Sequence, residues 1–227
     1  MSSPVFSAIV AGDTAGLQVA IDAGESVNEF DESPQVPLVF AAQRGLAALV
    51  SVLVSNGADL DTESGKQKNT ALMLAAYNGH PNVVGLLIEA GADLYLVNDF
   101  TETARECAVQ DKTLKHAEAL RLLLEAGMPP RNPETLPCST MMDAARSGNV
   151  KAIEHLVVHG ADVNEVREFG TALTTAAEEN QIKVAEYLLS QNADPALVIT
   201  HGDLEGKTAV DIAKEHGRRK LVALFGG

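Results

Sequence analysis

The feature that most constrains the fold is a short helical hairpin encoded by residues 69–94, which read NTALMLAAYNGHPNVVGLLIEAGADL. This segment predicts two short apolar helices, separated by a turn at Gly79 and closed by a second turn at Gly91. Ala75 and Ala76 allow the first helix to pack closely against a neighbour. Because one such hairpin cannot bury both of its helices alone, the sequence predicts copies of it on either side.

Copies of the hairpin recur along the whole chain. The alanine in the position of Ala75 returns at steps of 33, 34, 33, 36, 32 and 37 residues, close to the ~33 residues of one repeat architecture. The closing turn is glycine in five copies and Asn192 in the sixth, and asparagine is the residue after glycine that best adopts the left-handed conformation. The alanines are Ala8, Ala41, Ala75, Ala108, Ala144, Ala176 and Ala213, and the closing residues are Gly24, Gly57, Gly91, Gly127, Gly160 and Asn192.

Four segments resemble the ankyrin-repeat family, whose pattern runs roughly DxxGxTPLHxAAxxGHxxIVxLLLxxGADxN: PLVFAAQRG from Pro37, TALMLAAYNGH from Thr70, HGADVN from His159 and DLEGKTAVDIAKEHG from Asp203. The resemblance covers essentially the whole chain as seven repeats. It implies an all-α solenoid of stacked helix-turn-helix units with projecting finger loops, and no shared catalytic site. We assign one ankyrin-repeat domain over residues 1–227, with repeats at about 1–30, 31–63, 64–97, 98–131, 132–165, 166–199 and 200–227.

Three departures from the family pattern stand out. In the fourth repeat, Ala108 and Gly127 are 19 residues apart, whereas the other five copies have 16, so we expect about three extra residues to lengthen the turn between its helices. Arg105 stands where the other repeats carry Val, Leu or Met. The family's first-helix histidine is absent throughout, which leaves open how its loop hydrogen bonds are made; the residues in its place are Phe6, Val39, Met73, Glu106, Met142, Thr174 and Asp211.

The charge of the chain restricts its partners. A net charge of −14 and a pI of about 4.7 argue against nucleic acid and anionic membranes as partners. Residues 1–66 carry nine acids against two bases, Arg44 and Lys66. The acidity either keeps an elongated protein soluble or steers a basic partner to this end. Without an apolar run of membrane-spanning length or a charged-then-apolar leader, we expect a cytoplasmic protein.

The sequence contains only weak matches to nucleotide-binding, metal-binding or catalytic motifs. The segment GDLEGKT, ending at Thr208, resembles a phosphate-binding loop but has three residues between its glycines where that motif needs four. His155 and His159 could share a helix face and bind a metal, yet a third ligand is missing and a helix-end role for His159 is simpler. Cys107 occupies a core-facing position, which indicates a free thiol in a reducing compartment. We therefore predict no enzyme, no cofactor and no metal.

Partner binding is expected on a concave face. In the family, the finger tips and the two residues after the alanine pair point into this face. Four of the chain's nine aromatic residues fall at such positions, which predicts aromatic anchors with an acidic rim, unless each Phe instead tucks against its neighbouring finger. The predicted partner-binding residues are Phe30, Asp31, Glu32, Arg44, Tyr77, Asn78, Asp99, Phe100, Asp111, Arg146, Phe169, Glu178 and Glu179.

The predicted function is that of a monomeric protein–protein interaction module. Within this class the chain could be a stoichiometric inhibitor or immunity-type protein that masks a basic effector, or an adaptor between two larger proteins. A different class is a small-ligand or metal-binding protein that uses the long sixth-to-seventh finger and His201. Whether the convex face or the insertions near Lys112 and Ile199 also bind is left open by the sequence.

Overall fold

The structure, a computed structural model, describes residues 3–30, 35–109, 113–127, 140–167, 170–200 and 202–226. Within these ranges the chain forms fourteen α-helices in seven consecutive pairs, with two isolated β-bridges and no β-strand. The predicted all-α class is confirmed. The helices are α1 Pro4–Ala11, α2 Thr14–Asp22, α3 Pro37–Gln43, α4 Ala47–Ser55, α5 Ala71–Tyr77, α6 Pro81–Ala90, α7 Ala104–Cys107, α8 Leu114–Glu125, α9 Thr140–Ser147, α10 Val150–Val158, α11 Ala172–Glu178, α12 Ile182–Ser190, α13 Ala209–Glu215 and α14 Arg219–Leu224.

Hydroxyl side chains fix where several first helices begin. The Oγ1 of Thr70 accepts a hydrogen bond from the backbone N–H of Met73 at 3.4 Å, and Ser3 does the same for Phe6 at 3.3 Å. Each bond satisfies a backbone N–H that has no acceptor within its own helix. A hydroxyl residue directly before the apolar stretch therefore sets the first residue of the helix.

Three first helices use a reciprocal cap, in which the third helical residue also bonds back to the cap residue. The N–H of Thr103 donates to Glu106 at 2.9 Å, that of Thr171 to Thr174 at 2.8 Å, and that of Thr208 to Asp211 at 3.0 Å. All three acceptors occupy the position where the family carries its histidine. The caps thus account for three of the seven departures from the family pattern: Glu106, Thr174 and Asp211.

The predicted closing turns are confirmed. The backbone φ is +80° at Gly57 and +92° at Gly91, in the left-handed region that L side chains rarely adopt. Asn192 has a φ of +67°, so it replaces glycine at the one closing turn where the sequence lacks it. These turns end the second helix of each pair and direct the chain toward the next finger.

The chain divides into two compact units. Unit 1 contains Met1–Ala108 and Glu118–Met128. Its first helices α1, α3, α5 and α7 pack side by side in chain order, and its second helices α2, α4 and α6 do the same. The recurring alanines lie between the helices and are buried, as the sequence predicts; in this unit they are Ala8, Ala41, Ala75 and Ala108.

Unit 2 contains Val109–Ala117 and Pro129–Gly227. Within it α9, α11 and α13 pack in chain order, and α10, α12 and α14 form the second layer. Its recurring alanines are fully buried: Ala144, Ala176 and Ala213. Both units therefore repeat one packing rule, in which small residues allow close approach of first helices and longer apolar side chains fill the space behind them.

The fourth helix pair is irregular in both of its helices. Helix α7 has only 4 residues, and α8 has 12. Helix α8 begins at Leu114, six residues after Ala108, as α6 begins six residues after Ala75. Six residues, 108–113, separate α7 from α8, whereas three, 78–80, separate α5 from α6. Leu114–Glu118 of the DKTLKHAE stretch belong to α8, and residues 111–112 of that stretch lie outside the described residues, so the lengthening of the turn stays a prediction.

Candidate functional site

In the second and seventh repeats, a finger residue contacts the end of the first helix, so the two lie on the same side of the repeat. In the second repeat, Gln35 of the finger donates from Nε2 to Gln43 Oε1 at 3.3 Å. In the seventh, Lys207 Nζ donates to Glu215 Oε2 at 2.7 Å. Both pairs join the residue six before the recurring alanine to the residue two after it. The side chains two and three residues after that alanine, together with the fingers, are called the finger face below.

In unit 1 the finger face carries Arg44, Tyr77 and Asn78. The Arg44 guanidinium lies over the ring of Phe40, 5.3 Å from its centroid, which is a cation–π geometry. Tyr77 is 52% exposed. Asn78 donates from Nδ2 to the carbonyl of Leu74 at 2.8 Å, so its side-chain amide satisfies a carbonyl in the last turn of its own helix. These three residues lie two or three positions after a recurring alanine, at or next to the position that contacts the finger in the Gln35–Gln43 pair.

Phe100 is presented by a finger that a buried asparagine holds in shape. Asn98 is 5% exposed, and its Oδ1 accepts from the backbone N–H of Phe100 at 2.9 Å and of Glu102 at 3.0 Å. Its Nδ2 donates to Asn69 Oδ1 at 3.0 Å in the preceding finger. The Phe100 ring nevertheless stays 60% exposed. A fixed backbone therefore carries an aromatic side chain into solvent, and Asn98 is a site residue that sequence analysis missed.

Neighbouring fingers in unit 1 are also joined at the surface. Lys68 Nζ lies 3.4 Å from Asp99 Oδ1, and the N–H of Asp99 donates to the carbonyl of Gln67 at 3.0 Å. Lys66 and Lys68 are both exposed. The predicted acidic rim is consequently interrupted by a lysine-bearing finger at residues 64–69.

Phe30 is 57% exposed on the preceding finger, so more than half of its side chain is uncovered, as with Phe100. Several other predicted site residues lie outside the residues that the structure describes: Asp31, Glu32, Asp111 and Phe169, together with Lys112 and His201.

The predicted site residues of unit 2 that the structure describes are Arg146, Glu178 and Glu179, all exposed. Arg146 forms an ion pair with Asp143 of its own helix at 2.8 Å. The backbone carbonyl of Arg146 accepts from Gln181 Nε2 at 2.9 Å, and that of Glu178 accepts from Arg218 Nη2 at 3.1 Å. These residues therefore offer their side chains to solvent while their backbone holds the next repeat.

The same link between repeats occurs in unit 1, where His80 Nε2 lies 3.1 Å from the carbonyl oxygen of Gln43. Since a carbonyl only accepts, Nε2 is the protonated nitrogen. The turn glycine of the preceding repeat leaves room for the link, because a Cβ on Gly45 would lie 2.5 Å from His80 Nδ1. Likewise, a Cβ on Gly148 would lie 2.6 Å from Gln181 Oε1. The sequence shows that His80 and Gln181 follow the turn between the two helices of a repeat, but it does not show which atoms they bond to.

A second link between repeats comes from asparagine side chains after the closing turns. Asn28 accepts from the N–H of Asp59 at 2.9 Å and donates to the carbonyl of Gly57 at 3.2 Å. Asn164 repeats both bonds, with the N–H of Asp194 at 2.8 Å and the carbonyl of Asn192 at 3.2 Å. The recurring polar residue at the end of the GADxN pattern was the available sequence signal for this role.

The residues considered for catalysis or metal binding have structural partners. His159 Nδ1 donates to the carbonyl of His155 at 2.7 Å at the end of α10. Thr208 caps α13 through Asp211. Burial raises the pKa of the Cys107 thiol well above its ordinary value, and the nearby carboxylates raise it further, which keeps the thiol protonated and unreactive. Among the described residues, no group of three or more His, Cys, Asp or Glu side chains could hold a metal ion.

Within the described ranges, no helix combines the length and the apolar character needed to cross a membrane.

Helix pairs packed in chain order, with fingers that contact each other, define a repeat protein of the ankyrin class. The sequence profile of the family described as "Ankyrin repeats (3 copies)" matches residues 5–98, 38–135 and 141–225. The chain belongs to the ankyrin-repeat family. Ankyrin repeats are generally protein–protein interaction modules, and the fold is typically a non-catalytic binding scaffold.

Several known proteins are similar to this chain over most of its length. It is 30% identical over 228 residues to the "Ankyrin repeat and KH domain-containing protein mask-1" of Caenorhabditis elegans, which covers 96% of this chain and 8% of that protein. It is 26% identical over 200 residues to the "Transient receptor potential cation channel subfamily A member 1 homolog" of the same organism, which covers 88% of this chain and 16% of the relative. The chain thus spans only a small part of the length of these relatives.

Solved ankyrin-repeat structures show the same fold. The ankyrin repeat domain of Bcl-3 superposes with a TM-score of 0.79 at 24% identity, covering 99% of this chain and 98% of that one. The human ASB11 ankyrin repeat domain gives a TM-score of 0.80 at 24% identity, covering 93% and 91%. At this identity the likeness concerns the fold alone.

Proposed function

We propose that this chain binds a partner protein on the finger face of unit 1, with Tyr77 and Phe100 as anchors. The observation that carries the proposal is Phe100, which is 60% exposed on a finger whose backbone is fixed by the buried Asn98. An exposed aromatic ring is unfavourable in water, and aromatic residues dominate the energetics of protein interfaces.

The rigidity of this finger supports binding rather than packing. Asn98 already holds Phe100 and Glu102 through backbone hydrogen bonds and is tied to Asn69 of the preceding finger. A partner that covers the ring therefore loses little free energy in ordering the loop. Phe30, also more than half exposed, adds a third aromatic side chain to the proposed surface.

Charge indicates which partner surface would fit. Residues 1–66 contain nine acids and two bases, and Glu29 and Glu63 are exposed on the fingers. The finger with Lys66 and Lys68 interrupts this negative surface. We infer a partner whose contact surface is mainly basic and carries at least one carboxylate opposite the lysines.

The test begins with affinity purification from the native cell using the wild-type chain and the Tyr77→Ala/Phe100→Ala variant. Proteins retained by the wild type and lost by the variant are then titrated by calorimetry. We expect the variant to bind ~2 kcal/mol or more weakly, because two exposed anchors are removed.

The matched control is Val19→Ala, which removes an apolar side chain that is 68% exposed on the second helix α2. It should leave binding unchanged. The melting temperature of the double variant should match that of the wild type. If both the affinity and the melting temperature fall together, Tyr77 and Phe100 stabilise the fold, and the proposed interface is wrong.

The inhibitor role is a finer possibility, favoured by the net charge of −14. A tight one-to-one complex whose affinity falls steeply with salt would indicate a masked basic effector. Two partners that bind simultaneously and are lost in different variants would indicate an adaptor. Sedimentation of the purified complex at low and high salt distinguishes the two roles.

A further inference from the structure

The last helix pair, α13 and α14, carries a cleft lined by apolar and cationic side chains. The cleft has a volume of about 410 Å³ and is lined by Lys214, Gly217, Arg219, Val222 and Ala223. We call it the C-terminal cleft. Its floor is apolar, and two cationic side chains line it.

Lys214 is a charged residue at a position that is apolar in the earlier helix pairs. It directly follows a recurring alanine and is exposed. In the six earlier pairs the same position holds an apolar residue that is fully buried: Ile9, Ala42, Ala76, Val109, Ala145 and Ala177. The position is therefore one that neighbouring helices cover, and only the last pair has a charge there.

Val222 also occupies a position that neighbouring helices cover in the earlier pairs. It is partly exposed, whereas the equivalent residues in the regular pairs are buried. These residues are Leu17, Val50, Val84, Ile153 and Ala185. A helix pair of ordinary composition would bury the Lys214 ammonium without a partner, which is strongly unfavourable. An occupant of this face must therefore supply a carboxylate as well as an apolar group.

The surrounding charges favour the same occupant. Nearby carboxylates are already engaged, since Glu215 pairs with Lys207 at 2.7 Å and Asp211 caps Thr208. In the described part of the chain, neither Lys214 nor Arg219 forms an ion pair. A chain of net charge −14 therefore has a cluster of four bases at one place. The bases there are Lys214, Arg218, Arg219 and Lys220.

We propose that the C-terminal cleft docks an acidic segment of a partner protein. Its carboxylates pair with Lys214 and Arg219, and an apolar side chain lies against Val222. Electrostatic complementarity supplies orientation and speed of association, while burial of the apolar group supplies affinity. This site is independent of the finger face of unit 1, because it uses different residues and attracts the opposite charge.

The probe is a fluorescein-labelled short peptide of glutamate and leucine, titrated against the full chain by fluorescence anisotropy. We expect saturable binding that weakens with salt. The Lys214→Glu/Arg219→Glu variant should bind at least about tenfold more weakly, because two attractive charges become repulsive. The matched control is Lys183→Glu, which changes an exposed lysine on α12 of the same unit and should bind like the wild type.

Two further peptides sharpen the result. Replacing each glutamate by glutamine should abolish binding, and a peptide of glutamate alone should bind more weakly than the mixed one. Equal binding of the glutamate-only peptide would show a general anion patch and overturn the proposal. So would unchanged affinity in the double variant with an unaltered melting temperature, or no binding by the wild type.

A second copy of this chain is the remaining occupant to distinguish. Sedimentation of the wild type without peptide should give a single monomeric species. A concentration-dependent dimer that the Lys214→Glu/Arg219→Glu variant loses would assign the cleft to self-association and overturn the partner proposal.

Discussion

Gly45 and His80 show how a single residue in one repeat depends on the next. Gly45 has a φ of +70°, and its missing side chain leaves space for the His80 ring. That ring is held in place by the carbonyl of Gln43. Glycine is thus required here for two separate reasons, its backbone conformation and the room it leaves.

Gly65 offers a control for the first reason alone, because its φ is +76° but a Cβ there would meet nothing within 4 Å. We predict that Gly65→Ala destabilises by about 1–2 kcal/mol through left-handed strain. Gly45→Ala should destabilise by more, since it also displaces His80. Urea unfolding monitored by circular dichroism measures both.

The double variant Gly45→Ala/His80→Ala separates the two reasons. If the collision with the ring matters, the two substitutions should be clearly non-additive, with Gly45→Ala adding only its backbone strain once the ring is gone. Strict additivity would show that His80 moves aside without loss.

The spacing of single residues predicted the structure correctly wherever one residue type meets one local requirement, such as close packing or a left-handed turn. The buried alanines and the closing turns, including Asn192, followed from their period. The roles of Asn98 and His80 did not, because each bonds to backbone atoms or side chains that become neighbours only when repeats stack. The spacing of a motif records local geometry and carries no information on such contacts.

Among the helices, α7 differs most from its counterparts because it buries an ion pair. Arg105 and Glu106 are each 4% exposed, and Arg105 Nη2 lies 2.9 Å from Glu106 Oε1. Glu106 also completes the cap on Thr103. In the third repeat the same two positions hold the buried apolar residues Leu72 and Met73.

We predict that Glu106→Met lowers the free energy of unfolding by about 3–5 kcal/mol, because it leaves the buried Arg105 charge without this partner. The double variant Arg105→Leu/Glu106→Met copies the third repeat. It should be more stable than the single variant, with a residual loss of ~1 kcal/mol for the missing cap. Denaturant melts of the three proteins test this order, and a double variant no more stable than the single one would contradict it.

The sequence indicated that the fourth repeat is irregular, but it did not show that the first helix of this repeat is short and the second long. Residue counts show that extra residues are present, yet they cannot distinguish a longer turn from a longer helix. The segment from Leu114 has good helix formers in Lys115, Ala117 and Glu118. Local helix propensity therefore accommodated part of the insertion within α8.

Within each unit, helices contact their neighbours in the chain, so stability should be local. Leu87 is fully buried on α6, which packs on α4 and α5. We predict that Leu87→Ala lowers the free energy of unfolding by about 2–5 kcal/mol by opening a cavity. Hydrogen exchange should show the largest loss of protection in α4, α5 and α6, and a smaller one in α1 and α2. A uniform loss across unit 1 would show stronger cooperativity than its contacts suggest.

The candidate site was predictable only in part. The family pattern correctly indicated which positions are exposed on the side of the fingers, among them Tyr77 and Phe100. The pattern of charge was less predictable. Lys68 pairs with Asp99 across two fingers, and the C-terminal cleft forms from residues that resemble an ordinary polar end of the chain. The Lys68–Asp99 pair joins two repeats, so the sequence of one repeat does not contain it. The cleft lies within the last helix pair, where residues of α13 and α14 meet, and their spacing alone does not show it.

The links made by His80, Gln181 and Arg218 all end on a backbone carbonyl of the preceding repeat, at Gln43, Arg146 and Glu178. Every amino acid has that oxygen. The side chains at those three acceptor positions can therefore be exchanged during evolution without loosening the joint between repeats. At these residues the side chain is available for binding a partner, while the backbone oxygen joins the repeats. A change of binding preference therefore requires no change in the contacts that hold the repeats together.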